Sequence, residues 1–298
     1  MRLYYCDHHE IPLPQGHRFP VEKYALLRRQ LEQDAWIELV PAPAAPIEAI
    51  ELAHDPTYVA DFLGGTLSAQ AMRRIGFPWS EGLVARTLYS AGSTLAASGD
   101  ALTLGIGGGL AGGTHHALRA EGAGFCVFND IAVAIRFLQR AGRIERAAVV
   151  DLDVHQGDGT AEIFDGDPSV FTLSLHGANN FPFRKQKSSL DIELPDGTGD
   201  SAWLQALESA LPRVWAFQPD MVFFQSGVDT LASDRLGRLA LSPEGLRERD
   251  RLVLEGAASR RYPLVITMGG GYSDPIGLTV QAHASTFRAA ANLMEQAI

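Results

Sequence analysis

Ala148-Val149-Val150-Asp151-Leu152-Asp153-Val154-His155-Gln156-Gly157-Asp158-Gly159-Thr160 opens as an apolar strand and closes as a polar, glycine-rich loop. An extended chain alternates its side chains with a period of two. On that reading Asp151, Asp153 and His155 turn to one side, and Leu152 and Val154 turn into the core. Burying two like charges together is unfavourable, and an unpaired buried carboxylate either titrates or costs on the order of several kcal/mol. A divalent cation removes the conflict. Carboxylate oxygens together with an imidazole nitrogen suit zinc or a similar first-row metal. The competing reading is a strand end whose carboxylates cap the next helix.

Outward from this stretch, strands alternate with helices. Apolar runs without polar alternation occur at 3–6, 146–151, 170–175, 221–226 and 264–268. Helical spacing covers 21–34, 46–53, 57–63, 81–98, 202–217, 243–260 and 275–297. Ser80 and Ser242 stand as N-caps, the latter followed by Pro243 at the first helical position. Uninterrupted apolar strands separated by helices predict an α/β fold with a central, mostly parallel sheet covered by helices on both faces. No composition break or repeat divides the chain, so one domain is expected over 1–298.

Of 298 residues, 46% are hydrophobic and 20% charged, the profile of a globular enzyme. The net charge of −10, from 25 Lys+Arg against 35 Asp+Glu, argues against a nucleic-acid partner. Cys6 and Cys126 are the only cysteines, too few for a disulfide framework, which points to a reducing compartment. The first residues turn polar too soon for a signal peptide, and no run approaches 18 uninterrupted apolar residues. A cytoplasmic protein that contacts neither membrane nor nucleic acid is expected.

Other polar groups gather where such folds bind ligands, beyond the carboxyl ends of the strands. The glycine run at 103–114 lacks both GxGxxG spacing and a following GK[ST], so it is read as delivering His115-His116 to a tight, exposed position rather than as a phosphate loop. Asp229 follows the strand at 221–226, and Tyr272 follows Gly269-Gly270-Gly271. His8-His9-Glu10 and the polar stretch 179–200 read as loops.

With these residues assembled, the chain resembles the zinc-dependent histone deacetylase family. The resemblance rests on Gly112-Gly113-Thr114-His115-His116-Ala117, Gly124-Phe125-Cys126, the stretch Asp151–Thr160, Gly227-Val228-Asp229 and Gly269-Gly270-Gly271-Tyr272, in the family's order. His17-Arg18-Phe19-Pro20 and Gly237-Arg238-Leu239-Ala240-Leu241-Ser242-Pro243 resemble its class IV branch and bacterial relatives. The resemblance implies an arginase/deacetylase-like fold and hydrolysis of an acylated lysine, peptide or small acylated amine.

By the same resemblance Asp153, His155 and Asp229 match zinc ligands. His115 and His116 match the tandem catalytic histidines, with Asp151 and Asp158 as their partners. Tyr272 matches the carbonyl-polarising tyrosine. Gly124 and Phe125 match a substrate tunnel wall, with Gly270 also on the substrate side. Asp151, Asp153, His155, Ser174 and Leu175 match a potassium site, and Arg18 matches a position near an internal exit channel. The acidic residue that larger members carry on a substrate-gripping loop has no match near 77–81. Two alternatives use the same residues: a binuclear manganese hydrolase like arginase, and a non-catalytic acyl-lysine binder.

Overall fold

In the computed structural model, which describes residues 1–296, eight strands form one sheet. They are β1 (Arg2–Tyr5), β2 (Glu38–Pro41), β3 (Ile106–Gly109), β4 (Ala147–Asp151), β5 (Val170–Gly177), β6 (Leu190–Leu194), β7 (Met221–Gln225) and β8 (Leu264–Thr267). Their order is β2-β1-β3-β8-β7-β4-β5-β6, and every neighbouring pair is parallel. The helices are α1 (Glu22–Leu31), α2 (Ile47–Ile50), α3 (Pro56–Gly64), α4 (Ala69–Ile75), α5 (Glu81–Leu104), α6 (Asp130–Arg140), α7 (Asp158–Ile163), α8 (Asp200–Ala216), α9 (Pro243–Ala258) and α10 (Gly277–Gln296).

The strands are apolar at consecutive positions because both faces are covered. On one face Ala148 and Val150 of β4, Val222 and Phe224 of β7, and Leu264 and Ile266 of β8 pack against Leu27 of α1, Trp203 of α8, Val253 of α9 and Phe287 of α10. On the other, Ala147, Val149, Met221, Phe223 and Val265 meet Ile50 of α2, Phe62 of α3, Ala97 of α5 and Ile131 of α6. Ser80 and Ser242 cap α5 and α9, each oxygen accepting a backbone N–H three residues on. The α/β architecture with helices on both faces is therefore as the sequence predicts.

Several local expectations change. Helix α5 continues six residues beyond Ser98, because Ala101 is buried against the sheet and Gly105, at φ 90°, supplies the stop instead. The glycine run opens with β3. A side chain at Gly107 would collide with the Ala97 carbonyl, so the glycines let α5 lie directly on the strand. Strand β6 lies within the stretch 179–200 expected as loop, and β2, α4 and α7 are elements the sequence reading does not include. The predicted closing helix begins at Gly277, and its last predicted position, Ala297, lies outside the described residues.

The central stretch also departs from simple alternation. β4 ends at Asp151 and the chain then bends. The Asp151 and Asp153 carboxylates each accept the backbone N–H two residues ahead, from Asp153 at 3.2 Å and His155 at 3.0 Å. Such Asx turns pull the backbone out of the extended form. Leu152 and Val154 still point into the core.

Candidate active site

Four adjacent strands, in the order β3-β8-β7-β4, deliver the polar groups from their carboxyl ends. β3 leads to His115-His116, β4 to Asp153 and His155, β7 to Asp229, and β8 to Gly269–Tyr272. These residues line one cavity of about 670 Å³.

At its base, ligand atoms of Asp153, His155 and Asp229 lie within 4.8 Å of one another. Each carboxylate is pinned on one side. The Val154 N–H donates to Asp229 Oδ1 at 2.9 Å, and the Gly270 N–H donates to Asp153 Oδ2 at 2.8 Å. Asp229 Oδ2 is buried without a hydrogen-bond partner, and His155 Nδ1 sits 3.2 Å from it and 2.9 Å from Asp153 Oδ1. The 3.2 Å spacing is near the edge of a tetrahedron of roughly 2.0–2.2 Å metal bonds, roughly 3.3–3.6 Å, and the 2.9 Å spacing is shorter than that edge. The charges ask for a cation as well. Burial first, then Asp153, lifts Asp229 to about 7. Burial opposes a charge on His155, yet Asp153 and Asp229 outweigh it and draw the imidazole up to about 10. The donor set fits a divalent metal held by two carboxylates and one imidazole, which leaves coordination positions for water and substrate.

Beside this cluster stand two His–Asp pairs, and both histidines are buried rather than exposed as the sequence suggests, with Gly124 and Phe181 packed on the His116 ring. His115 Nδ1 is 2.7 Å from Asp151 Oδ2, and His116 Nδ1 is 2.6 Å from Asp158 Oδ1. A carboxylate only accepts, so in each pair Nδ1 carries a hydrogen, and in a neutral ring Nε2 is then the open acceptor. The rings lie 4.1 Å apart. Burial disfavours a charged His115, but Asp151 and Asp153 overcome it and hold the group near 9. Burial, then the neighbouring charge on His115, pushes His116 down to about 4. Asp158 opens α7, yet its carboxylate serves His116 instead of capping the helix.

Asp130 fixes the histidine turn by accepting the N–H groups of Gly113 at 3.0 Å and Thr114 at 2.7 Å, while Asn129 caps α6. Gly124 and Phe125 form a tight hairpin turn, with Ala123 and Cys126 exchanging backbone hydrogen bonds. Both central residues have positive φ, 54° and 67°, a costly conformation for phenylalanine. The turn holds Gly124 against the His116 ring and places Phe125 on the cavity wall. Tyr272 faces the cavity 6.4 Å, ring to ring, from Phe125. Burial, then Asp229, raises its hydroxyl well above the ordinary tyrosine value, so it stays protonated.

Ser174 and Leu175 lie apart from the cavity lining, in the sheet. Ser174 of β5 is in register with Asp151 of β4, its hydroxyl 2.9 Å from His176 Nδ1. The Leu175 side chain is core, so only its carbonyl is available to an ion. Arg18 is exposed at the cavity mouth rather than at an internal position.

The cation that does reach inside was missed. Lys23, 1% exposed, donates to the Gly269 carbonyl at 3.3 Å and lies 5.2 Å from the centre of the Tyr272 ring. Burial lowers it to about 8 against the pull of Asp229 and Asp153. Phe181, which meets His116 edge-on at 4.9 Å, was hidden in a stretch read as polar loop. Asp234, which accepts the Tyr272 N–H at 2.6 Å, gave no sequence signal at all. His9 stacks on Tyr89 at 3.7 Å, with the His8 ring tilted against it at 4.2 Å.

The histone deacetylase domain matches residues 17–287. The chain belongs to the histone deacetylase family. Membership makes it a metal-dependent type of hydrolase that acts on the amide C–N bond of acylated amines. An uncharacterised protein of Picosynechococcus sp. is 47% identical over 283 residues, 94% of each chain. Histone deacetylase 2 of Arabidopsis thaliana is 31% identical over 271 residues, covering 86% of this chain and 70% of the plant protein. The solved acetylpolyamine aminohydrolase of Burkholderia pseudomallei superposes with a TM-score of 0.78 over 98% of this chain and 99% of its own, at 22% identity, a likeness of fold. No helix among the described residues is long and apolar enough to cross a membrane.

Proposed function

We propose that this family member is a zinc-dependent deacylase that releases a carboxylate, acetate in the simplest case, from an acylated lysine or related amine. The carrying observation is the meeting of the Asp153/His155/Asp229 cluster with two buried His–Asp pairs of opposite proton affinity in one cavity. Zinc, when bound by these three residues, supplies Lewis-acid polarisation of the acyl carbonyl and acidifies a water. His116 is neutral near pH 7 and its Nε2 is free, so it accepts the proton of the attacking water and passes it to the departing amine. Asp158 fixes that tautomer. His115 remains charged beside Asp151 and keeps His116 weakly basic. The Tyr272 hydroxyl donates to the acyl oxygen as negative charge develops there. Gly124 and Phe125, with Phe181 beside Gly124 on the cavity lining, enclose the acyl-lysine stem, and Gly270 orients Asp153 through its N–H.

A structural potassium ion held by Asp151, Asp153, His155, Ser174 and Leu175 would stiffen β4 and β5 behind the cluster. The protein acts in the cytoplasm as one catalytic domain over 1–298. The histidine pair next to the Gly124-Phe125 turn, and a tyrosine with a protonated hydroxyl, favour deacylation over binuclear guanidine chemistry and over mere binding.

The test is turnover of N-acetyl-lysine and longer-chain acyl-lysine peptides by metal-replete protein, with parallel metal analysis. Hydrolysis that disappears with chelator and returns with zinc, at about one metal per chain and none in Asp229→Ala, is expected. Undiminished hydrolysis in metal-free protein, or none in zinc-loaded protein, would contradict the reading.

A further inference from the structure

We propose that the mouth of this cavity selects an acylated amine flanked by carboxylates, the opposite charge preference from a polyamine. The inference rests on the deacylase reading above and names its substrate class.

The chain as a whole is acidic, at −10, yet the lining of its main cavity is not. Arg18, Arg73, Arg74, Arg235 and Arg238 line it with exposed side chains, and Lys23 lies within. The carboxylates among the described lining residues are Asp153 and Asp229, both committed to the deep cluster. The arginines come from three segments around the opening: the loop before α1, the end of α4 and the loop after β7. Arg74, Arg235 and Arg238 pair with Glu121 at 2.7 Å, Asp274 at 3.4 Å and Asp196 at 3.2 Å, acids outside the lining. Arg18 and Arg73 have no carboxylate partner among the described residues.

The α4 arginines are tied to the cavity wall by backbone. The carbonyls of Arg74 and Ile75 accept the N–H groups of Gly124 at 3.1 Å and Phe125 at 2.7 Å. Arg74 and its neighbour Arg73 therefore leave the chain beside that turn, and both line the cavity. Guanidinium forks match carboxylates in geometry, and a cleft lined by one sign of charge raises the local concentration of the opposite sign. A chain carrying several ammonium groups meets like charge on three sides. Each exposed charge acts weakly, so the discrimination is collective and fades with salt.

The experiment uses three acetyl-lysine peptides identical except for paired Glu, Gln or Lys flanks, and N-acetylspermidine. kcat/KM is measured on metal-replete protein, and Kd by fluorescence anisotropy of the labelled peptides, at low and high salt. The expected order is Glu over Gln over Lys and polyamine, spanning on the order of ten-fold at low salt and shrinking at high salt. The double variant Arg18→Glu/Arg73→Glu, matched to the parent in metal content and thermal unfolding, is expected to reverse that order. Equal values across the flanks, preference for Lys flanks or polyamine, or an unchanged order in the variant would overturn the proposal. If no peptide is hydrolysed, the deacylase reading fails by itself, and the Kd order still decides the charge preference.

Discussion

His115 with Asp151 and His116 with Asp158 make the same contact on adjacent residues, Nδ1 to carboxylate at 2.7 and 2.6 Å, both buried. Their surroundings differ. Behind His115 stands a second carboxylate, Asp153, 3.9 Å from Nε2, and the group is held near 9. His116 looks toward Gly124 and Phe181, with a charged His115 beside it, and falls to about 4. The bonded partner fixes tautomer and orientation. The next neighbours fix charge: extra carboxylate on one side, apolar wall and like charge on the other. One histidine becomes a standing cation and the other a base that is free at neutral pH.

That contrast orders the expected losses. His116→Ala removes the proton carrier and is expected to lower turnover by roughly 10²–10⁴-fold with metal retained; a loss below ten-fold would put the proton transfer elsewhere. Tyr272→Phe removes one hydroxyl from a site held by its own backbone contacts, since Asp234 grips the Tyr272 N–H. Fold and metal content should survive, and kcat should fall on the order of 10²–10³-fold. Wild-type kcat in that variant would take the tyrosine out of the chemistry. His115→Ala leaves the base in place and is expected to cost less than either.

The fold was legible because its physics is local. Uninterrupted apolar runs such as 221–224 and 264–266 have no other use than a sheet buried on both faces. The residues at the base of the site were also legible, since Asp153, His155, Asp229 and Tyr272 are costly or strange as core. What escaped depends on packing across the chain. Lys23 sits in an amphipathic helix, where lysine ordinarily faces water, and it is buried only because α1 abuts the Gly269 turn. The bend after Asp151 comes from side-chain acceptors competing with the strand. Phe181 and Arg73 gain meaning only when distant segments close around one opening. Sequence marks the expensive atoms well and the cheap, collective ones poorly.

The most direct test of the asymmetry is kcat/KM against pH for the parent, His115→Ala and His116→Ala at matched metal content. In the parent, His116 works as its neutral form, held low by burial and by the charge on His115, so activity holds through neutrality and falls as acid protonates it. Removing the positive charge of His115 takes away one of the forces depressing His116, so the acid limb of His115→Ala should move to higher pH, with the smaller loss of rate at neutral pH. His116→Ala should be the more damaged enzyme and should lose that limb. An acid limb that stays in place or moves to lower pH in His115→Ala, or a greater loss there than in His116→Ala, would contradict the assignment of His116 as the base and His115 as the fixed cation.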